Sequence, residues 1–222
     1  MHAKSVALMI LYHFATSPFA RRVRLMLAHK RMTAELRDAR ASHEHTDAMH
    51  QLNPFHTVPV LVDGEHVVFD SGAIAHYLDR KQPEPPLWPP GLVGAEAFRL
   101  AALADGVIII LSDLGMRYAP LHDHTNFPIV RTVMVGRVQR ALDQLATEVT
   151  ARGLDSGPLV GDSWGAADIA VYTMVAWLEG LPLRATTFPP VRGVVSLGWV
   201  VPPELSTWAD QHRQRTDVLA LG

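Results

Sequence analysis

Residues 82–90 read QPEPPLWPP, five prolines in nine positions. Proline has no amide hydrogen and a fixed φ, so neither a regular helix nor the interior of a sheet can pass through such a stretch. The chain is therefore cut in two, and each part must find its own core. The expected organisation is a first domain over 1–80, a linker over 81–90 and a second domain over 91–222. With 222 residues, both parts are long enough to bury one.

The segment before the cut alternates short strand and helix patterns. Residues 6–14 (VALMILYHF) form an apolar run with strand character, broken by Thr16, Ser17 and Pro18, which open a helix reaching about His29. A strand is expected over about 33–39 and a polar, His-rich helix over 42–52. Asn53-Pro54 marks a turn, and 58–62 is a further strand. Asp63-Gly64 turns the chain into a returning strand over 66–69. Asp70-Ser71 caps a helix with Ile74, Tyr77 and Leu78 on one side. The order is β-α-β-α-β-β-α. Beyond the linker the helical period takes over, with helices expected at about 95–118, 127–151, 165–180 and 203–215; the mixed segment 182–202 fits no single element.

Composition narrows the function classes. A formal net charge of −2 with scattered Lys and Arg argues against a general nucleic-acid binder. There is no cysteine, so neither a disulfide nor a protein thiolate is available, and any thiol chemistry must come from a bound molecule. The apolar opening runs into Tyr12 and His13 rather than a small-residue cleavage site, and the apolar stretch 107–111 is far short of the roughly 20 residues of a membrane span. A cytoplasmic protein is expected, with no membrane and no nucleic-acid partner.

Four local patterns stand in order along this framework. They are TSPFARRVR from Thr16, NPFHTVPVL from Asn53, DSGAI from Asp70, and Gly161-Asp162 followed by Ala167-Asp168-Ile169. Together with the element order, the linker and the helical second half, they resemble the cytosolic glutathione transferases, in particular bacterial members and the serine-type theta and zeta classes. The resemblance covers almost the whole chain. It implies an α/β plus all-α fold: a thioredoxin-like N-terminal domain followed by an all-helical domain. It also implies glutathione as co-substrate, no metal, a hydrophobic electrophile as second substrate, and a homodimer.

The resemblance also assigns residues. Ser17, between first strand and first helix, is the expected catalytic hydroxyl. A hydroxyl donor at the positive end of a helix suits a thiolate, and Phe19 beside it is expected to be a further glutathione-binding residue. A plain helix cap is the competing reading of Ser17, and Thr16 is the rival hydroxyl. Thr57 and Val58, ahead of Pro59, are expected to meet the cysteinyl backbone of glutathione across a cis Val58-Pro59 bond. Asp70 and Ser71 are expected to hold the γ-glutamyl ammonium and carboxylate, the latter because a helix N-terminus attracts anions, with an ordinary cap as the alternative. Asp168 is expected to be structural.

The chain departs from the family at three places. His56-Thr57 stands where relatives carry a lysine that reaches the glycyl carboxylate, so His56, Thr57 or a histidine of the 43–50 helix is its substitute. Asp70 is one methylene shorter than the Glu or Gln of relatives. Gly165 leaves only the Asp168 half of a capping box. Met116, Tyr118 and Trp177 are candidates for the second-substrate wall, with core packing as the alternative. His43, His45 and His50 show no consistent i, i+4 pair, so no metal site is expected. His122-Asp123-His124 is a loop element, either exposed or reaching over the acceptor-substrate cleft, and Arg21 and Arg22 either add positive field or lie on a solvated helix face, the latter being the reading for at least one of them. The implied activity is transfer of a group to the glutathione thiol. Isomerisation, dehalogenation and a non-catalytic binding module are the alternatives.

Overall fold

A computed structural model describes residues 8–153 and 157–219. Val6 and Ala7 of the expected first strand lie outside the described residues, as do 154–156 and 220–222 of the expected second domain. The chain forms two compact units. One comprises residues up to Trp88 together with the segment from Arg215, and the other runs from Pro89 to Gln214.

The first unit is built on strands β1 (Met9–His13), β2 (Ala34–Asp38), β3 (Val60–Asp63) and β4 (His66–Phe69), in the order β2-β1-β3-β4. β1 runs parallel to β2, while β3 is antiparallel to both β1 and β4. The β3–β4 hairpin pairs Asp63 with His66, so Gly64 and Glu65 make the turn, and Gly64 supplies the positive φ of +60° that a tight hairpin demands. Helices α1 (Pro18–His29), α2 (His43–Leu52) and α3 (Ser71–Lys81) complete the α/β layer. Alternation along the strands splits the core. Ile10, Tyr12, Val60 and Val62 pack with Met49 of α2, whereas the cross-strand partners Leu11 and Leu61 face the other way, where α1 and α3 pack together. This is the expected thioredoxin-like arrangement.

The proline-rich stretch is irregular, as its composition demands, and it is tied down. The Lys30 side chain is 0% exposed. Its ammonium meets Asp79 Oδ1 at 2.7 Å and donates to the carbonyls of Gln82 at 2.6 Å and Pro85 at 2.8 Å. Asp79 in turn accepts from the backbone N–H of Leu87 at 2.8 Å and Trp88 at 2.9 Å.

The second unit is helical: α4 (Gly91–Ser112), α5 (Phe127–Arg152), α6 (Ala166–Thr187), the short α7 (Arg192–Val195) and α8 (Pro203–His212). α6 is buried along most of its length and packs against α4 and α8. Asp168, 1% exposed, accepts from Gly165 N at 2.9 Å and Leu159 N at 2.6 Å, tying the preceding loop to the first turn of α6. The expected 95–118 helix starts earlier, at Gly91, and ends at Ser112, where the chain widens into a π turn over Asp113–Arg117. The close approach at Gly115 marks this turn: a Cβ there would sit 2.5 Å from the Cα of Val194. The expected stop at Gly180 does not occur. α6 continues through Pro182, and the Arg184 guanidinium donates to the carbonyls of Gly180 at 3.2 Å and Trp177 at 2.7 Å. The expected 203–215 helix ends at His212, and a further short helix, α9 (Thr216–Leu219), lies beyond the expected one and belongs to the first unit, where Asp217 faces His29 Nδ1 at 3.4 Å and Arg215 Nε at 3.1 Å.

Candidate functional site

The sheet register decides which candidates meet. Tyr12 pairs with Val60, and Val60 pairs with Phe69. Beyond this row β1 runs on to Ser17 at the tip of α1, β4 runs on to Asp70-Ser71 at the tip of α3, and Val58 leads into β3. Ser17, Val58, Asp70 and Ser71 therefore collect at one end of the sheet, with two helix N-termini at the same end.

Ser17 is the cap of α1. Its Oγ accepts from Ala20 N at 3.2 Å, and its backbone N–H donates to Phe14 O at 3.1 Å. The bond from Ala20 takes up oxygen lone-pair density only. The hydroxyl proton has no acceptor among the described residues, so capping and donation to an anion are compatible roles. Thr16 is exposed and does not cap the helix. Phe19 lies in the first turn, with the Arg22 guanidinium 5.4 Å from its ring centre.

The tip of α3 repeats the pattern. Asp70 Oδ1 accepts from Gly72 N at 2.8 Å and Ala73 N at 3.0 Å, which leaves the Ser71 N–H and the second Asp70 oxygen available. Ser71 is 2% exposed, and its Oγ accepts from Arg22 Nη1 at 3.2 Å. Arginine carries donors only, so Ser71 is the acceptor there and its own proton is uncommitted. Asp70 holds φ at +73°, a region that costs a side-chain-bearing residue about 1–3 kcal/mol and tends to be kept where function needs the geometry.

Val58 and Thr57 come from the loop that follows α2. The Val58-Pro59 bond is cis, as expected. Val58 lies outside the registered strand pairs, so the sheet does not take up its N–H and C=O. Buried Asn53 shapes this loop: its Nδ2 donates to Thr57 O at 2.8 Å and Thr57 Oγ1 at 3.1 Å, while its Oδ1 accepts from Phe55 N at 3.0 Å. His56, at φ +53°, stacks on His50 of α2, with ring centroids 4.0 Å apart.

Arg24 donates to Ala15 O at 3.2 Å, and burial together with Arg21 lowers its pKa. Buried His13, four residues ahead of Ser17, is held below its ordinary value by burial and by Arg24, against an opposing pull from Asp38. Among the described residues no three His, Asp or Glu side chains gather as a metal site would require, and no helix is long and apolar enough to cross a membrane.

The second-substrate candidates belong to the helical unit. Met116 is part of the π turn and half-buried, Tyr118 follows it and is exposed, and Trp177 is buried within α6. His122 is half-buried and shares a hydrogen bond with Leu114 O at 2.7 Å, while Asp123 and His124 are exposed.

Two residues of the site carry more than their sequence reading. Of the Arg21–Arg22 pair, Arg22 is the buried member at 2% exposed and Arg21 is half-buried; the place of Arg22 on the buried stripe three and four residues ahead of Leu25 and Met26 was the available signal. Asn53, read only as a turn former, is the organiser of the loop.

Comparison with known proteins bears on the family and the fold. The glutathione S-transferase N-terminal domain family matches residues 11–86, and the C-terminal domain family matches 100–210. A probable maleylacetoacetate isomerase of Vibrio cholerae is 41% identical over 100 residues, 43% of this chain and 46% of that protein. A stringent starvation protein A homolog of Coxiella burnetii is 39% identical over 83 residues, 37% of this chain and 39% of that protein. These matches span less than half of each relative's length. Among solved structures, a glutathione S-transferase from Methylobacillus flagellatus KT with GSH bound superposes with a TM-score of 0.73 at 26% identity, covering 96% of this chain and 98% of that one. Two domain families matched in order and a shared fold over nearly the whole length lead to one conclusion: the chain belongs to the glutathione S-transferase family.

Proposed function

We propose that this protein binds glutathione at the shared tip of α1 and α3 and activates its thiol for attack on a hydrophobic electrophile. One observation carries the reading: two serines at two helix tips each accept a bond from inside the protein and keep a proton for an anion outside it. Ser17 would face the sulfur and Ser71 the γ-glutamyl carboxylate, the latter aided by its own N–H. Val58 would pair with the cysteinyl backbone as a short added strand. The uncommitted Asp70 oxygen would accept from the γ-glutamyl ammonium, and Thr57 with the His50–His56 stack would meet the glycyl carboxylate in place of the family lysine.

The energetics are sufficient. A thiol of pKa about 8.5 is roughly 3% ionised at pH 7, and lowering that value by about 2 units requires about 2.7 kcal/mol. A hydrogen bond to a charged acceptor contributes about 1.5–3 kcal/mol, and a helix N-terminus adds about 0.3–1 kcal/mol. Ser17 and its helix together meet the requirement. The thiol proton leaves to solvent, the sulfur lone pair forms the C–S bond, and the electron pair departs with the leaving group or returns to the substrate for protonation. The same thiolate serves a glutathione-dependent isomerase, a choice that the relatives named as maleylacetoacetate isomerases favour. A cytoplasmic homodimer, with Met116, Tyr118 and Trp177 contributing to the electrophile's surroundings, completes the proposal.

A second reading is a binding module without turnover. It is favoured by the single available Asp70 oxygen and by histidine in place of lysine. Calorimetric titration with glutathione, followed by assays with an aryl halide, an alkyl halide and a cis-unsaturated diacid, separates the two. Binding with turnover of one class supports the enzyme, and binding without any turnover supports the module. Absence of binding contradicts both.

A further inference from the structure

We infer that Arg22 is a positioning residue for the γ-glutamyl carboxylate, acting through the hydroxyl of Ser71; this rests on the glutathione reading above. Burying a guanidinium is costly, and arginine cannot escape by losing its proton. Yet Arg22 is 2% exposed, one turn into α1, and reaches across 49 residues of sequence to Ser71 Oγ at 3.2 Å. A serine hydroxyl is a free rotor with one proton and two lone pairs. With Nη1 occupying one lone-pair direction, the proton must point elsewhere. The Ser71 N–H, which Asp70 does not cap, belongs to the same helix tip. Arg22 thereby turns a rotor into a preset donor beside an available N–H and places a fixed positive charge behind it. This arrangement selects a carboxylate and reduces the ordering that binding would otherwise require. Arg22 would not touch the ligand.

A role of this kind predicts coupling that mere structural support would not give. Calorimetry would compare glutathione with its analogue lacking the α-carboxylate of the γ-glutamyl residue, using wild type, Arg22→Met, Ser71→Ala and the double variant. Arg22→Met should weaken glutathione about tenfold, the scale of one charge-assisted hydrogen bond, and the analogue less than about twofold. The double variant should be no more than about twofold weaker than Ser71→Ala alone. Arg22→Lys should restore part of the loss. If Arg22→Met does not fold, Arg22→Lys and Arg22→Gln carry the same comparison, with glutamine retaining a donor and lacking the charge. Equal weakening of both ligands, or losses that multiply in the double variant, would overturn the inference while leaving glutathione binding intact. A wild type that binds neither ligand would remove the functional reading itself.

Discussion

The two ends of α1 handle polar groups in opposite ways. At its C-terminal end the Lys30 ammonium has three protons and three acceptors, Asp79, Gln82 and Pro85, all inside the protein. At its N-terminal end Ser17 and, across from it, Ser71 have their oxygens engaged and their protons unassigned. Twelve residues of helix, about 18 Å, separate the two arrangements. A closed cluster stabilises the fold and has nothing left to offer a ligand. An open one leaves hydrogen-bonding capacity that only an outside partner completes. The location of function follows from which polar groups remain incomplete.

The comparison breaks first if the closed cluster proves dispensable. Lys30→Met strands Asp79 and two carbonyls in a buried site, so denaturant unfolding should show a loss of about 3–5 kcal/mol. Glutathione affinity of the folded fraction should stay unchanged. A loss below about 1 kcal/mol would mean that closure of the cluster adds little to stability.

Asp168 is the closed cluster of the helical unit. Asp168→Ala leaves the buried N–H groups of Leu159 and Gly165 without their acceptor, and about 2–4 kcal/mol should be lost in thermal or urea unfolding. Asp168→Asn, which keeps one acceptor oxygen, should cost less. Equal losses would show that the side chain's volume, rather than its hydrogen bonds, matters.

Asp217 sharpens the comparison through pH. Burial works to raise its pKa, but the bonds from His29 and Arg215 outweigh burial and hold the carboxyl at about 2, below the ordinary 3.8. A depressed folded-state pKa contributes stability above the unfolded value that is lost as pH falls through the folded one. The expected contribution is about 2 kcal/mol, present above pH about 4 and lost on acidification toward about 2. Urea unfolding of wild type and Asp217→Asn should therefore converge over that interval, and curves that stay parallel would remove the ion pair as an anchor of α9.

What the sequence disclosed follows the same division. Ser17, the Val58-Pro59 pair and Asp70-Ser71 were legible because each acts through its immediate neighbours: a cap, a turn and a strand end are short-range patterns. The thioredoxin-like order was legible from the Asp63-Gly64 hairpin and the proline-dense linker. Lys30 and Arg22 were not, because their partners lie 49 to 55 residues away and local context shows only a charged residue near a helix end or face. The π turn at Gly115 was hidden for a related reason. Its packing against Gly193 and Val194 joins segments that look unrelated in sequence. Continuation of α6 past Pro182, with Arg184 reaching back to the carbonyls of Gly180 and Trp177, is likewise outside what a proline-stops-helix expectation includes.

The smallest energy in the account is also its most direct test. Thiolate absorbance of bound glutathione, followed against pH in wild type and Ser17→Ala, reports whether the uncommitted hydroxyl proton meets the sulfur. The account predicts a wild-type thiol pKa about 2 units below that of the free thiol and similar affinity in the two proteins. In the variant the thiol pKa should rise by at least about one unit, close to 1.4 kcal/mol. An unchanged pKa on removing the Ser17 hydroxyl would contradict it.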